Sequence, residues 1–322
     1  MRKVALFVNP LLTRNPHHRA TVTAVAAVLR GAGFEVAITE LGEVPAAAGL
    51  ARKAIDDGCE RVFSCGGDGT VFALLQALAG TGVPLGIIPM GTGNVLAQNM
   101  RLPRDAVRAA RMLIRSPARE VPLGRVSSTC EADGVTSSWY FAMSAGVGAH
   151  ALLMQAAQRW GKHSSGRAAY YLAGGELLLR HRIEHFEIEI TTTQGSVFTQ
   201  SVSEALVVRV AQLNRWRPGG ALDQPALRLA VVAAKTRVQM ARASLRALLV
   251  PASVQVNSGP APLSSTHVSY FDVSRIVCRP LPGRDYCAPP PLQADGEVLA
   301  STAAVITLAE KRLTLLWPDE AT

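Results

Sequence analysis

Arg61-Val-Phe-Ser-Cys-Gly-Gly-Asp-Gly-Thr70, running on into Val71-Phe-Ala-Leu-Leu-Gln-Ala-Leu78, is the stretch that decides the fold. Arg61 to Cys65 has the short apolar run of a buried strand. Thr70 to Ala79 holds neither Gly nor Pro and predicts a helix. Between them stand Gly66, Gly67, Asp68 and Gly69. Glycine lets a backbone take positive φ and come close to a ligand. A helix start offers N–H groups and a positive dipole end to an anion. Asp68 does not suit bare phosphate cradling, because a carboxylate repels phosphate. It suits a cation-mediated contact, a sugar hydroxyl or a reacting group.

Downstream, Leu85-Gly-Ile-Ile-Pro-Met-Gly-Thr-Gly-Asn94 repeats the plan: a strand, a glycine turn, then a helix from about Val95. Two such units in succession predict one nucleotide site at adjacent strand ends. Upstream, Lys3 to Val8 reads as a buried strand stopped by Asn9-Pro10, since Pro cannot continue a ladder. The stretch from Leu11 to His18 reads as a loop. Ala20–Gly31 follows as a helix, Phe34–Thr39 as a strand, and Ala46–Asp57 as a helix closed by Gly58. This alternation predicts an α/β fold, with a doubly wound parallel sheet over residues 1–120.

From Arg119 the texture changes to spaced strands. They are expected at Val121–Val126, Trp139–Ser144, Phe186–Thr191, Ala205–Ala211, Leu227–Ala233, Val268–Arg279 and Arg312–Leu316. Residues 121–322 are therefore expected to form a second, β-rich, sandwich-like domain. Leu152–Trp160 and Ala168–Leu179 read as helices within it. Gly146-Val-Gly-Ala-His-Ala151 imitates a dinucleotide fingerprint, but no acidic residue ends a following strand at the right distance. It reads instead as a glycine turn used for packing, with His150 structural.

The chain has 322 residues, 48% of them apolar, and a net charge of +9. That is enough apolar material for a substantial core, and it excludes a disordered chain. The positive balance fits an anionic membrane surface, an anionic small substrate or nucleic acid, or serves solubility alone. Arg101, Arg104, Arg108, Arg111 and Arg115 recur at steps of three or four and would form one basic stripe on a helix. The five cysteines show no zinc spacing. They are expected to be reduced thiols of a cytoplasmic protein, with Cys59 and Cys65 in the core. No apolar run reaches the roughly 18 residues of a membrane span.

Val8-Asn9-Pro10, Gly66-Gly-Asp-Gly-Thr70, Pro89-Met-Gly-Thr-Gly-Asn94 and a late Asp295-Gly-Glu297 occur in this order. Together they resemble the diacylglycerol kinase catalytic-domain family in its compact bacterial form, to which sphingosine kinases are similar. The resemblance spans nearly the whole chain. It implies transfer of a phosphoryl group from ATP, with Mg²⁺, to a lipid alcohol at an anionic membrane surface, and no nucleic-acid partner. It implies that Asn9, Thr39, Gly66, Gly67, Asp68, Gly69, Thr70, Gly91, Thr92 and Asn94 line the nucleotide site. Asp68 would hold the metal. Glu297, or else Asp295, would act as base from a loop pointing back into a cleft between domains. Leu152, Leu153, Tyr170, Tyr171 and Leu178 would line an acyl pocket or belong to the core.

The chain also departs from that pattern. A Ser/Gly-rich turn is expected after Asn9, where this chain has Leu11 to His18. Some members carry a structural magnesium site near the position of Asp223; here Gln224, Pro225 and Arg228 replace its acidic or glycine positions, which argues against a second metal. Two other readings stay open. NAD kinases also use Gly-Gly-Asp-Gly-Thr, and a catalytically silent lipid-binding protein would explain the altered loops. P-loop and esterase elbow motifs are absent.

Overall fold

The computed structural model describes residues 2–42, 44–129, 135–148, 151–152, 183–213, 220–249, 256–260, 263–281, 291–299 and 303–319. The chain divides into two units, Met1–Leu123 with Glu310–Thr322, and Gly124–Ala309. The division at Leu123 falls close to the boundary expected near residue 120. Residues 310–322 were expected in the second domain and instead join the first, because the end of the last strand pairs there.

The first unit is built on β1 (Arg2–Val8), β2 (Phe34–Glu40), β3 (Arg61–Gly66) and β4 (Leu85–Pro89). All pair in parallel, in the order β2-β1-β3-β4. Outside β4 lies the end of the last strand, β16 (Ala304–Leu316), with Leu315 opposite Leu85. Val4 to Val8 and Val62 to Gly66 are buried without interruption. Such continuous apolar runs belong to a parallel sheet covered on both faces.

The helices are α1 (Pro10–Thr13), α2 (Pro16–Gly31), α3 (Val44–Asp56), α4 (Asp68–Leu78), α5 (Val95–Asn99) and α6 (Ala106–Arg115). α2 packs with α6, and α3 with α4. Right-handed crossovers put α2 on one face of the sheet and α3 and α4 on the other, because the chain moves outward from β1 in opposite directions. α4 is buried nearly all round, as an apolar helix without a polar face must be.

The expected loop from Leu11 to His18 is largely helical. Asn9 and Asn15 each cap a helix, accepting from Leu11 and His17 N–H, and a proline opens each first turn. The basic stripe is shorter than expected. Only Arg108, Arg111 and Arg115 lie on α6, exposed opposite buried Ala106, Ala109, Ala110 and Leu113. Arg101 sits at φ 57, in a turn, and Arg104 precedes the cap Asp105.

The second unit is mainly antiparallel. Its central order is β15 (Glu297–Leu299), β14 (Leu292–Ala294), β7 (Ser144–Gly148), β10 (Glu204–Val208), β11 (Leu227–Val232), β13 (Ser269–Pro280) and the start of β16. β13 changes neighbours along its length, pairing β11 over its first half and β16 over its second. A register shift between Val273 and Arg275 marks the change. β8 (Phe186–Thr192) and β9 (Val197–Val202) form a hairpin on β13, and β12 (Val256–Asn257) pairs it in parallel. β5 (Ala118–Thr129) and β6 (Thr136–Phe141) make a further hairpin.

The supposed glycine turn at 146–148 is corrected: it is the fully buried strand β7. A Cβ on Gly146 would come 2.7 Å from Leu206 Cδ1, so the glycine serves strand packing. A helix missed from sequence, α7 (Arg237–Leu249), buries Met240 and Ala243 against Val232 and Ala234. His150, the expected helices beyond Leu152 with their acyl-pocket residues, Cys130 and Cys287 lie outside the described residues.

Candidate active site

In the first unit three strand ends are tied side by side. Asn9 N–H donates to Cys65 carbonyl at 3.1 Å, and Met90 N–H donates to Gly66 carbonyl at 2.8 Å. These are the carboxyl ends of β1, β3 and β4. The strand order reverses direction between β1 and β3, which is where open α/β sheets bind ligands.

The two glycine turns pack backbone to backbone. A Cβ on Gly91 would lie 2.5 Å from Gly67 Cα, and one on Gly66 would lie 2.2 Å from Thr70 Oγ1. No side chain fits at either place. Asn94, left-handed at φ 49, closes the second turn with its own amide. Its Oδ1 accepts from Gly91 N–H at 3.0 Å, and its Nδ2 donates to Gly91 carbonyl at 2.6 Å.

Asp68 fastens one turn to the other. It is the first residue of α4, and its carboxylate accepts from Val95 and Leu96 N–H at 3.0 and 3.2 Å. It thus caps α5 from a different helix. Burial raises its pKa, and the backbone N–H groups oppose that rise. Among the described residues no three acidic, His or Cys side chains gather as a metal cage. A lone carboxylate is a donor set that magnesium accepts only where most of its other ligands are phosphate and water. Gly67 caps α4, an 11-residue helix, with no side-chain hydrogen bond to its opening N–H groups.

In the second unit Asp295 and Gly296 join β14 to β15 as a two-residue turn, at φ 49 and 90. Positive φ at both positions is the type I′ hairpin preferred by Asp-Gly. Asp295 is buried. Its carboxylate accepts from Ala142, Met143 and Ser144 N–H at 2.7, 2.7 and 2.9 Å. Glu297, the next residue after the turn, is half-buried, and burial raises its pKa.

Residues 3–126 match the sequence profile of the Diacylglycerol kinase catalytic domain. This part of the chain belongs to that family. The chain is similar to bacterial diacylglycerol kinases, spanning about 61% of the length of the first relatives it matches. It is 33% identical over 196 residues to a diacylglycerol kinase of Mycobacterium tuberculosis (strain CDC 1551 / Oshkosh), an alignment covering 61% of each chain. It is 26% identical over 254 residues to a diacylglycerol kinase of Bacillus subtilis (strain 168), covering 77% of this chain and 79% of the relative. A crystal structure of a diacylglycerol kinase from Bacillus anthracis str. Sterne covers all of this chain and 99% of that one, with TM-score 0.70 and 21% identity. That likeness shows the fold: a parallel sheet with helices, then an antiparallel β region.

Within this kinase-family frame the expected residues have definite places. Asn9, Gly66, Gly67, Asp68, Gly69, Thr70, Gly91, Thr92 and Asn94 stand at the joined strand ends of the first unit. Thr39 is half-buried near the end of β2, opposite Phe7 in register. Thr92 is exposed. Asp295 and Glu297 belong to the second unit. Where other members would hold a structural magnesium, Asp223 is exposed and Arg228 forms a two-bond ion pair with Asp272, at 2.9 and 3.2 Å. Sequence reading missed Arg209, which is fully buried. Its signal was one charge inside the apolar run Ala205 to Val210.

Proposed function

We propose that this protein is an ATP-dependent lipid kinase, transferring the γ-phosphoryl group of ATP to the hydroxyl of a diacylglycerol-like lipid. The observation that carries the reading is the pair of interlocked glycine turns at the sheet's switch point, inside the segment matching the diacylglycerol kinase catalytic domain. Phosphoryl transfer asks mainly for alignment and charge neutralisation. Gly66, Gly67 and Gly69 would hold phosphate oxygens by backbone N–H groups, with Thr70 lining the same site. Asn9, Thr39, Gly91, Thr92 and Asn94 would shape the rest of the nucleotide pocket. Asp68 would hold Mg²⁺, which neutralises phosphate charge.

The acceptor oxygen forms its bond to the γ-phosphorus as the bond to the β-γ bridging oxygen breaks, and ADP leaves. The hydroxyl proton needs a base. Glu297 suits that role better than Asp295, because three backbone N–H groups already occupy the Asp295 carboxylate. A pKa raised by burial also brings a carboxylate nearer to working pH.

The lipid would be met at a membrane surface from the cytoplasm. Among the described residues no helix is long and apolar enough to cross a membrane. Arg108, Arg111 and Arg115 on one exposed face support contact with anionic lipid, at about 1 kcal/mol for each basic residue near the surface.

The test is radiolabelled ATP and Mg²⁺ with phosphatidylglycerol vesicles carrying diacylglycerol, a sphingoid base or another lipid alcohol, and separately with NAD. Label should enter a lipid and be lost in Asp68→Ala and Glu297→Ala. Label in NADP would select the NAD kinase reading. Lipid binding without transfer would select a silent binder.

A further inference from the structure

Arg209 follows β10 and has no contact with solvent. Its neighbourhood is unusual in one respect: with Asp295 it uses every backbone polar group of Ala142, Met143 and Ser144. The three N–H groups donate to the Asp295 carboxylate. The three carbonyls accept from Arg209 Nη1 at 3.3 Å, Arg209 N–H at 2.8 Å and Asp295 N–H at 2.7 Å. Arg209 Nη2 also donates to the Leu222 and Gln224 carbonyls, at 3.2 and 3.1 Å. A corner between β6 and β7, a loop before β11 and the Asp295-Gly296 turn are thus held by one cation and one anion.

We infer that Arg209 and Asp295 act as positioning residues that fix the Glu297 carboxylate for proton acceptance. The inference rests on Glu297 being the base of the proposed kinase. Glu297 pairs with Ala294 directly across the two-residue turn, so its backbone is set once that turn is set. The turn is pinned from both sides: by Asp295 as described, and by Gly296 N–H donating to Gln293 Oε1 at 2.9 Å. Burial draws the Arg209 pKa down to about 10 while the Asp295 charge supports it, so the guanidinium stays cationic at neutral pH. A pair of buried opposite charges is a weak source of stability compared with well-packed apolar groups. What it supplies here is direction: a guanidinium and a carboxylate, each with several fixed bonds, admit few orientations of the hairpin. Arg209 itself touches no reacting atom in this scheme.

The experiment joins amide hydrogen exchange to transfer kinetics on the full chain, with Arg209→Lys, Arg209→Met, Asp295→Asn and Glu297→Gln. In the unaltered protein the amides of Ala142, Met143 and Ser144 should be among the slowest to exchange. Asp295→Asn and Arg209→Met should speed exchange there and across residues 294–299 by about tenfold or more. With diacylglycerol vesicles their kcat should fall about a hundredfold while the KM for ATP stays within about twofold, as expected of a misplaced base. Arg209→Lys should recover part of the loss.

Fast exchange at Ala142–Ser144 in the unaltered protein would overturn the inference. So would variants that loosen exchange without lowering kcat, or that change KM alone. If Arg209→Met does not fold, Arg209→Lys and Asp295→Asn decide. If the unaltered protein transfers no phosphate to any lipid, the kinase reading fails and the positioning role with it. The exchange data still report whether the clamp exists.

Discussion

Two of the turns that set an aspartate beside glycine, at Asp68 and at Asp295, use it differently. Asp68 opens a helix and reaches across to two N–H groups of another helix start. Asp295 sits inside a hairpin and takes three N–H groups from a strand corner, with buried Arg209 as its counter-charge. Burial raises the Asp68 pKa, backbone N–H groups of Val95, Leu96, Asn94 and Asp68 itself all favour its charged form, and no buried cation stands beside it among the causes of its shift. Asp295 is enclosed and its directions are used up. The difference teaches that the same Asp-Gly pair fastens two helix starts in one place and, beside a buried guanidinium, a hairpin in the other. Residue type alone does not decide.

The comparison can be broken most sharply within the second turn. Glu297→Gln should lower turnover by about 10²–10⁴-fold, the range for losing a general base, with ATP binding unchanged in a filter assay. Its pH behaviour has a fixed sign. The folded pKa of Glu297 is raised by burial, so the folded protein holds that proton more tightly than the unfolded chain does. The protonated form favours folding below the unfolded pKa, and that advantage is lost as pH rises through the folded pKa. Glu297→Gln should therefore melt higher than the unaltered protein at neutral pH, with the gain fading in acid. The acid limb of kcat should lie above the ordinary carboxylate range in the unaltered protein.

Asp295→Ala should act on the fold. Removing the carboxylate leaves the buried Arg209 charge without its counter-charge and three N–H groups without an acceptor, at a cost of about 3–5 kcal/mol, read as a lower urea midpoint. Asp68→Ala should cost least in stability, about 0.5–2 kcal/mol, the range for losing a helix cap. It should abolish turnover all the same. Equal destabilisation by the two alanine variants would erase the distinction drawn between the turns.

The first unit was largely legible because its signals are local. A strand, a glycine turn and a helix are written within a few residues; glycine is needed at 67 and 91 by mutual backbone approach and at 66 by the Thr70 side chain. The caps Asn9 and Asn15, each followed by a proline, were equally local but were read as loop. The short α5 and the turn at Arg101 cut the arginine stripe, which a spacing argument does not see. In the second unit the strands were legible from alternation. Arg209 was not, because its meaning depends on Asp295 and on the carbonyls of Ala142 and Met143, all remote in sequence. The fate of Asp295 was hidden for the same reason: Asp-Gly announces a hairpin turn and says nothing of what the carboxylate will meet.

The final strand begins among residues of the second unit and ends beside β4 in the first. During synthesis the ribosome therefore delivers β1 to β4 early but leaves the β4 margin bare until Leu313 to Leu316 emerge. The intervening unit must be made, and its hairpins threaded, before that margin closes. A nascent chain stalled before residue 304 should display an open parallel edge to chaperones, however complete its glycine turns.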